Sequence, residues 1–192
     1  MALDIEGPHR HIAAMNDKAD DRPYTVAEQV APYVRRVLCR NPSAFTYTGT
    51  QTYIVGSDRN IAVIDPGPAD PEHLEALFAA IGDTYVAAIC CTHNHRDHSP
   101  AVAPLIEKTG AKVVGCAPLK MADDGPRSDA AFDPDYFPDS IMRDGDSIAG
   151  DGWQLTAVTT PGHTSNHLCY ALKTAENDPG VLFTGDHVMG WS

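Results

Sequence analysis

Six consecutive residues, His93-Asn94-His95-Arg96-Asp97-His98, constrain this chain more than any others, because four of the six side chains are of types that ligate metals. Imidazole and carboxylate donors together suit Zn²⁺ and related divalent ions. The run follows an apolar stretch over residues 85–91 that reads as a buried strand. On extended backbone, residues two apart point to the same side. His93, His95 and Asp97 are therefore expected to converge where the strand ends, and His98 joins them if the chain turns. A solvated polar loop has no need of that pattern.

Two later segments extend the set. Thr160-Pro161-Gly162-His163-Thr164 puts a histidine in a Pro-Gly turn after a strand pattern over residues 153–158. Thr184-Gly185-Asp186-His187 puts an aspartate after the apolar run Val181-Leu182-Phe183. Either alone is ordinary turn chemistry. Their order, a His/Asp cluster, then a His, then an Asp, each after a strand, is what a site assembled from several strand ends requires.

On these residues the chain resembles the metallo-β-lactamase-fold hydrolase superfamily, over about residues 33 to 192. The superfamily's H-x-H-x-D-H motif is matched by the run from His93 to His98, its single His by His163, and its bridging Asp by Asp186. Its early strand-Asp-x-Gly motif is matched by Ile61-Ala62-Val63-Ile64-Asp65-Pro66-Gly67. In detail the chain is most similar to the lactamase-β-like 2 and glyoxalase II-like branch, on residues 41–46, 49–56, 95–100 and 185–192.

The resemblance implies an α/β fold, the αββα sandwich, with residues 1–30 as a polar lead-in and residues 31–192 as the domain. It implies that His93, His95 and His163 bind a first metal, Asp97 and His98 a second, and that Asp186 bridges both. Asp65 is expected to support a ligand histidine from behind, and Asp97 also to orient the attacking water or take its proton. The implied cofactor is zinc, two ions in the full family pattern. The family supplies one more histidine, and further strands and helices, beyond the point reached at Ser192. The fold and the second site are therefore expected to be incomplete at the C-terminus, as in a fragment or a truncated product.

The implied activity is hydrolysis of an ester, thioester, lactone or phosphodiester by a metal-bridging hydroxide. Two alternatives stand beside it: a mono-iron, persulfide-dioxygenase-like oxidoreductase using His93, His163 and Asp186, or an inactive fragment. An endoribonuclease relative keeps RNA beside small molecules among the expected substrates. His187 is a possible contact to substrate, His167 a packing residue close to the ligands, and His9, His11 and His73 are expected at the surface.

The net charge of −12 disfavours loose binding to nucleic acid, although divalent ions would add positive charge locally. No apolar run approaches the roughly 18 residues of a membrane span. Residues 1–22 carry no secretory apolar segment, so a cytoplasmic location is expected. Five irregularly spaced cysteines do not make a disulfide framework. Strands are predicted over 34–38, 51–55, 61–64, 112–116, 153–159, 168–172 and 181–184. Asp70-Pro71 predicts a helix start, with Leu74, Leu77, Phe78 and Ile81 inward and Gly82 ending it. Ser99-Pro100 predicts a second, with Val102, Leu105, Ile106 and Thr109 inward and a kink or delay at Pro104. Residues 117–139 predict a surface loop.

Overall fold

The computed structural model describes residues 22–119, 131–174 and 180–189. β1 (Ala27–Ala31), β2 (Val34–Leu38), β3 (Gln51–Gly56) and β4 (Asn60–Ile64) form an antiparallel meander. The chain then crosses through α1 (Pro71–Ile81) to β5 (Tyr85–Cys91), parallel to β4, and through α2 (Val102–Thr109) to β6 (Val113–Gly115). β7 (Ser140–Ile141) closes this seven-stranded sheet in parallel with β6. β8 (Ser147–Ala149), β9 (Trp153–Thr159), β10 (Leu168–Thr174) and β11 (Val181–Phe183) form a second, antiparallel sheet in the order β11-β10-β9-β8.

The burial patterns explain the layering. β4 and β5 are near-continuous apolar runs because central strands with parallel neighbours are covered on both faces. β9 alternates, with Trp153, Leu155 and Ala157 inward. The two sheets meet face to face. The Tyr53 and Phe183 rings lie 5.0 Å apart. Tyr170 Oη donates to Cys91 O at 3.0 Å, and Trp153 Nε1 to Asn60 Oδ1 at 2.9 Å. α1 packs against β1 and β2, and α2 against β5. This is the α/β sandwich that the sequence implies. All five cysteines are free and buried. No helix among the described residues is long and apolar enough to cross a membrane.

α1 starts and stops as expected: Asp70 Oδ1 accepts from His73 N at 2.9 Å, and Gly82 N donates to Phe78 O at 2.9 Å. Its buried face differs. His73, Leu77 and Ile81 point inward, while Leu74 and Phe78 are half-buried, so His73 is a core residue and not a surface one. α2 also differs. Its N-cap is Ala101, with no side-chain hydrogen bond, because the Ser99 hydroxyl donates to Asp133 Oδ2 at 2.8 Å. Pro104 falls in the first turn, where a missing N–H costs nothing. Ile106 is exposed. β1 crosses the expected boundary at residue 30, so the end of the expected lead-in is part of the sheet; residues 1–21 fall outside the described residues. The expected loop over 117–139 is partly packed, since Asp133 and Tyr136 are buried.

Candidate metal centre

β5 ends at Cys91, and the next seven residues turn back on themselves, with His98 N and Ser99 N both donating to His95 O. The turn brings the expected ligands together in two groups. In the first, His93 Nε2 lies 3.0 Å from His95 Nδ1, and His163 Nε2 lies 3.1 Å from the same atom. Asp186 Oδ2 lies 3.4 Å from His163 Nε2 and 3.9 Å from His93 Nε2. In the second, His98 Nε2 lies 3.4 Å from Asp97 Oδ2 and 3.4 Å from Asp186 Oδ1. The donor atoms within each group lie within 4.8 Å of one another. Two atoms each 2.0–2.1 Å from one zinc ion span about 3.3 Å at the tetrahedral angle. In the first group, a His₃Asp donor set, the pairs at 3.0, 3.1 and 3.4 Å lie close to that spacing and the His93–Asp186 pair, at 3.9 Å, is wider. Asp186 directs one oxygen to each group.

The protons behind the ligands favour the same reading. Thr92 is fully buried; its N–H and its hydroxyl donate to Asp65 Oδ1 and Oδ2, each at 2.8 Å. That hydroxyl has one hydrogen. Toward His93 Nδ1, 3.0 Å away, it can therefore only accept. His93 carries its hydrogen on Nδ1, and the bare Nε2 faces His95 and His163. His98 Nδ1 lies 3.1 Å from Asp65 Oδ2, which leaves its Nε2 facing Asp97 and Asp186.

The electrostatics separate the two groups. Burial, then the neighbouring rings, holds His93 well below the usual histidine range, and burial followed by His163 lowers His95. These rings are neutral, the form that binds a cation. Burial opposes charge on His98 as well, yet Asp65, Asp186 and Asp97 outweigh it and raise the ring well above its usual range. In turn His98 overcomes burial to bring Asp97 down to about 2 and to lower Asp186. Three carboxylates around one ring make a position that needs positive charge. The donors fit a divalent ion at both places.

The supporting residues are mostly ones without a sequence signal. Asn94 alternates away from its histidine neighbours. Its amide bonds Leu119, Asp133 and Asn166, tying three loops around the metal loop. Thr50 Oγ1 donates to Asp97 Oδ2 at 3.3 Å and is itself gripped by Asn41. The Phe132 ring lies 4.7 Å from His95, so the expected loop does border the site. Gly185 (φ 46°) carries Asp186 in; a Cβ there would sit 2.6 Å from Thr92 Oγ1 and 2.9 Å from His167 Nε2. His167 is fully buried and stacks on His93 at 5.1 Å. His187 is exposed, 6.0 Å from the His167 ring, and belongs to neither donor group.

Residues 46–190 match the family model described as the metallo-beta-lactamase superfamily. The chain belongs to that superfamily. A lactamase-like protein, GME11357, of Pestalotiopsis microspora is 33% identical over 171 residues, covering 88% of this chain and 48% of its own length. The atrochrysone carboxyl ACP thioesterase nsrC of Aspergillus novofumigatus is 33% identical over 165 residues, covering 85% and 46%. The chain thus spans about half the length of the curated relatives it matches. Among solved structures, a metallo-beta-lactamase HARLDQ-motif mutant from Cronobacter sakazakii superposes with a TM-score of 0.65 at 22% identity, covering 82% of this chain and 62% of that one. The subclass B3 enzyme BJP-1 of Bradyrhizobium japonicum gives 0.62 at 22% identity, covering 84% and 63%. At that identity the likeness is one of fold.

Proposed function

We propose that this protein is a zinc-dependent hydrolase with a two-ion centre, acting on an acyl thioester. The observation that carries the reading is Asp186, which turns Oδ2 to the three-histidine group and Oδ1 to His98. A carboxylate so placed could serve an ion in each group. His93 Nε2, His95 Nδ1 and His163 Nε2 would hold the first ion, and Asp97 Oδ2 and His98 Nε2 the second. When bound, the ions supply Lewis acidity toward a carbonyl and a water acidified toward a pKa of about 7. Asp97 would orient that water and offer its carboxylate to the water's proton. Thr50, donating to Asp97 Oδ2, fixes the carboxylate's direction while it does so.

One observation favours a thioester over the other esters: relatives at 33% identity are named ACP thioesterases. A cavity of about 220 Å³ opens beside His98, lined by apolar side chains (Tyr53, Leu182, Phe183, Val188) and polar ones (Thr46, Thr50, Gln51, Thr184), with room for part of an acyl group. The mono-iron alternative needs two histidines and one carboxylate with open positions. His95 Nδ1, 3.0 Å from His93 and 3.1 Å from His163, adds a third nitrogen to the first group, which favours zinc.

The test is elemental analysis of the purified chain followed by thiol release from acyl-pantetheine thioesters, with an oxygen ester and bis(4-nitrophenyl) phosphate as comparators. The expected result is bound zinc and chelator-sensitive turnover, fastest on the thioester. Bound iron without zinc, or a zinc-loaded protein that cleaves only the phosphodiester, overturns the reading.

A further inference from the structure

His73 sits where the inward face of α1 calls for an apolar residue, and it is fully buried. Its Nε2 lies 3.0 Å from Pro66 O and 3.1 Å from Thr52 Oγ1. The Thr52 hydroxyl donates its one hydrogen to Asp65 O at 2.8 Å, so toward His73 it accepts. Pro66 O also only accepts. The His73 hydrogen is therefore on Nε2, aimed at both. Nδ1 is buried without a partner, so Nε2 carries all of the ring's hydrogen bonding.

That hydrogen bonding fastens an unusual turn. Asp65 has φ 47°, a left-handed conformation uncommon for residues with a Cβ, though aspartate adopts it more readily than most. Thr52 holds the Asp65 carbonyl and His73 the Pro66 carbonyl beside it. Gly67 passes so close that a Cβ would lie 2.9 Å from His73 Nε2. On the far side, Gly67 N donates to His98 O and Ala101 N to Gly67 O. The turn is clamped between α1 and the metal loop, and its Asp65 carboxylate meets Thr92 and His98.

We propose that His73 is a positioning residue for the metal centre. Through the Pro66 carbonyl and Thr52 it holds Asp65 in its left-handed conformation, and Asp65 in turn sets the orientation of His98 and, by way of Thr92, the bare nitrogen of His93. The inference rests on the metal-binding reading of those histidines.

The experiment compares His73→Leu, His73→Gln and Thr52→Val with the unaltered chain. Zinc affinity is measured by competition with a chromophoric chelator, metal-free unfolding by circular dichroism, and the His93 ring hydrogen by long-range ¹H–¹⁵N spectra. His73→Leu is expected to weaken zinc binding about 10- to 100-fold, the range seen for partners behind metal ligands. His73→Gln, whose amide can donate to Pro66 O, keeps affinity nearer the unaltered value, which a space-filling role for the ring does not predict. Unaltered affinity in His73→Leu, or equal losses in Leu and Gln, overturns the proposal. Should His73→Leu not fold, Thr52→Val carries the same expected loss and the same refutation. Should the unaltered chain bind no zinc, the metal reading itself has failed. The ring spectra then decide alone: a single Nδ1–H form of His93 that becomes mixed in the variants supports the positioning role, and an unchanged form refutes it.

Discussion

Thr92→Val tests the proton assignment behind the metal centre. Valine keeps the shape of threonine and the backbone N–H that bonds Asp65 Oδ1, but removes the hydroxyl. Two interactions go with it. One is a donation to a carboxylate oxygen, Asp65 Oδ2 at 2.8 Å, for which about 1.5–3 kcal/mol is typical. The other is the acceptor for His93 Nδ1–H; a buried donor left alone costs about 1–3 kcal/mol. Together they predict a loss of roughly 4 kcal/mol, or about 8–16 °C in the unfolding midpoint of a chain this size. His93 can escape part of that cost by moving its hydrogen to Nε2, the atom 3.0 Å from His95 Nδ1. That atom must be bare to bind a cation, so zinc affinity falls as well. Thr92→Ser keeps the hydroxyl and loses only a methyl group, at about 1 kcal/mol. Thermal unfolding of the metal-free proteins and chelator competition read both effects. A loss in Val no larger than that in Ser would falsify the assignment, because removing the hydroxyl would then cost no more than removing a methyl group.

Three further outcomes are expected. Asp186→Asn keeps the side-chain volume but removes the charge shared between the two donor groups; zinc content should fall by at least one ion per chain, and turnover at least about 100-fold, by elemental analysis and thiol release. Gly185→Ala forces a Cβ to 2.6 Å from Thr92 Oγ1 at a positive φ, so about 2–4 kcal/mol of stability is lost in denaturant titration, with Asp186 displaced; an unchanged midpoint refutes the close packing. His167, held down to about 4 by burial despite Asp65, binds its proton more readily when unfolded. Its contribution to metal-free stability is complete above about pH 6.5, declines as pH falls toward 4, and amounts to roughly 3 kcal/mol; His167→Asn should flatten that part of a stability–pH curve, and an unflattened curve counts against a neutral buried ring.

The donor cluster was legible because much of it is local: His93, His95, Asp97 and His98 fall within six residues just beyond β5, but the chain turns there, and Asp97 comes to lie beside His98 where strand alternation would have set it with His93 and His95. β4 and β5 were legible for the same kind of reason, since central strands must be apolar throughout. What escaped depended on partners distant in sequence. Ser99-Pro100 has the form of a helix start, but Asp133, 34 residues on, takes the hydroxyl. His73 lies one position from Leu74 on the same arc of α1, and helical periodicity prefers the leucine; only the Pro66 carbonyl and Thr52 explain the choice. β7 and β8 are two and three residues long and largely exposed, so no alternation marks them. The roles of Thr92 and Asn94 were hidden because one precedes the motif and the other fills a gap in it; Thr92 supports His93 and Asp65 from behind, and Asn94 ties down the surrounding loops.

The five buried thiols give this chain a built-in reporter of its own opening. Labelling reagents react with thiolates. Burial pushes Cys39 and Cys116 up to about 12, and Cys90 and Cys91, at the end of the strand that carries the metal loop, are wholly enclosed. Alkylation therefore waits for the sandwich to part, and its rate under native conditions measures how often that happens. A ligand that binds only the folded form slows the labelling in proportion to 1 + [L]/Kd. Mass-spectrometric counting of modified cysteines across a zinc titration would yield both the opening equilibrium and the metal affinity from one unaltered protein, with no probe attached and no substrate known.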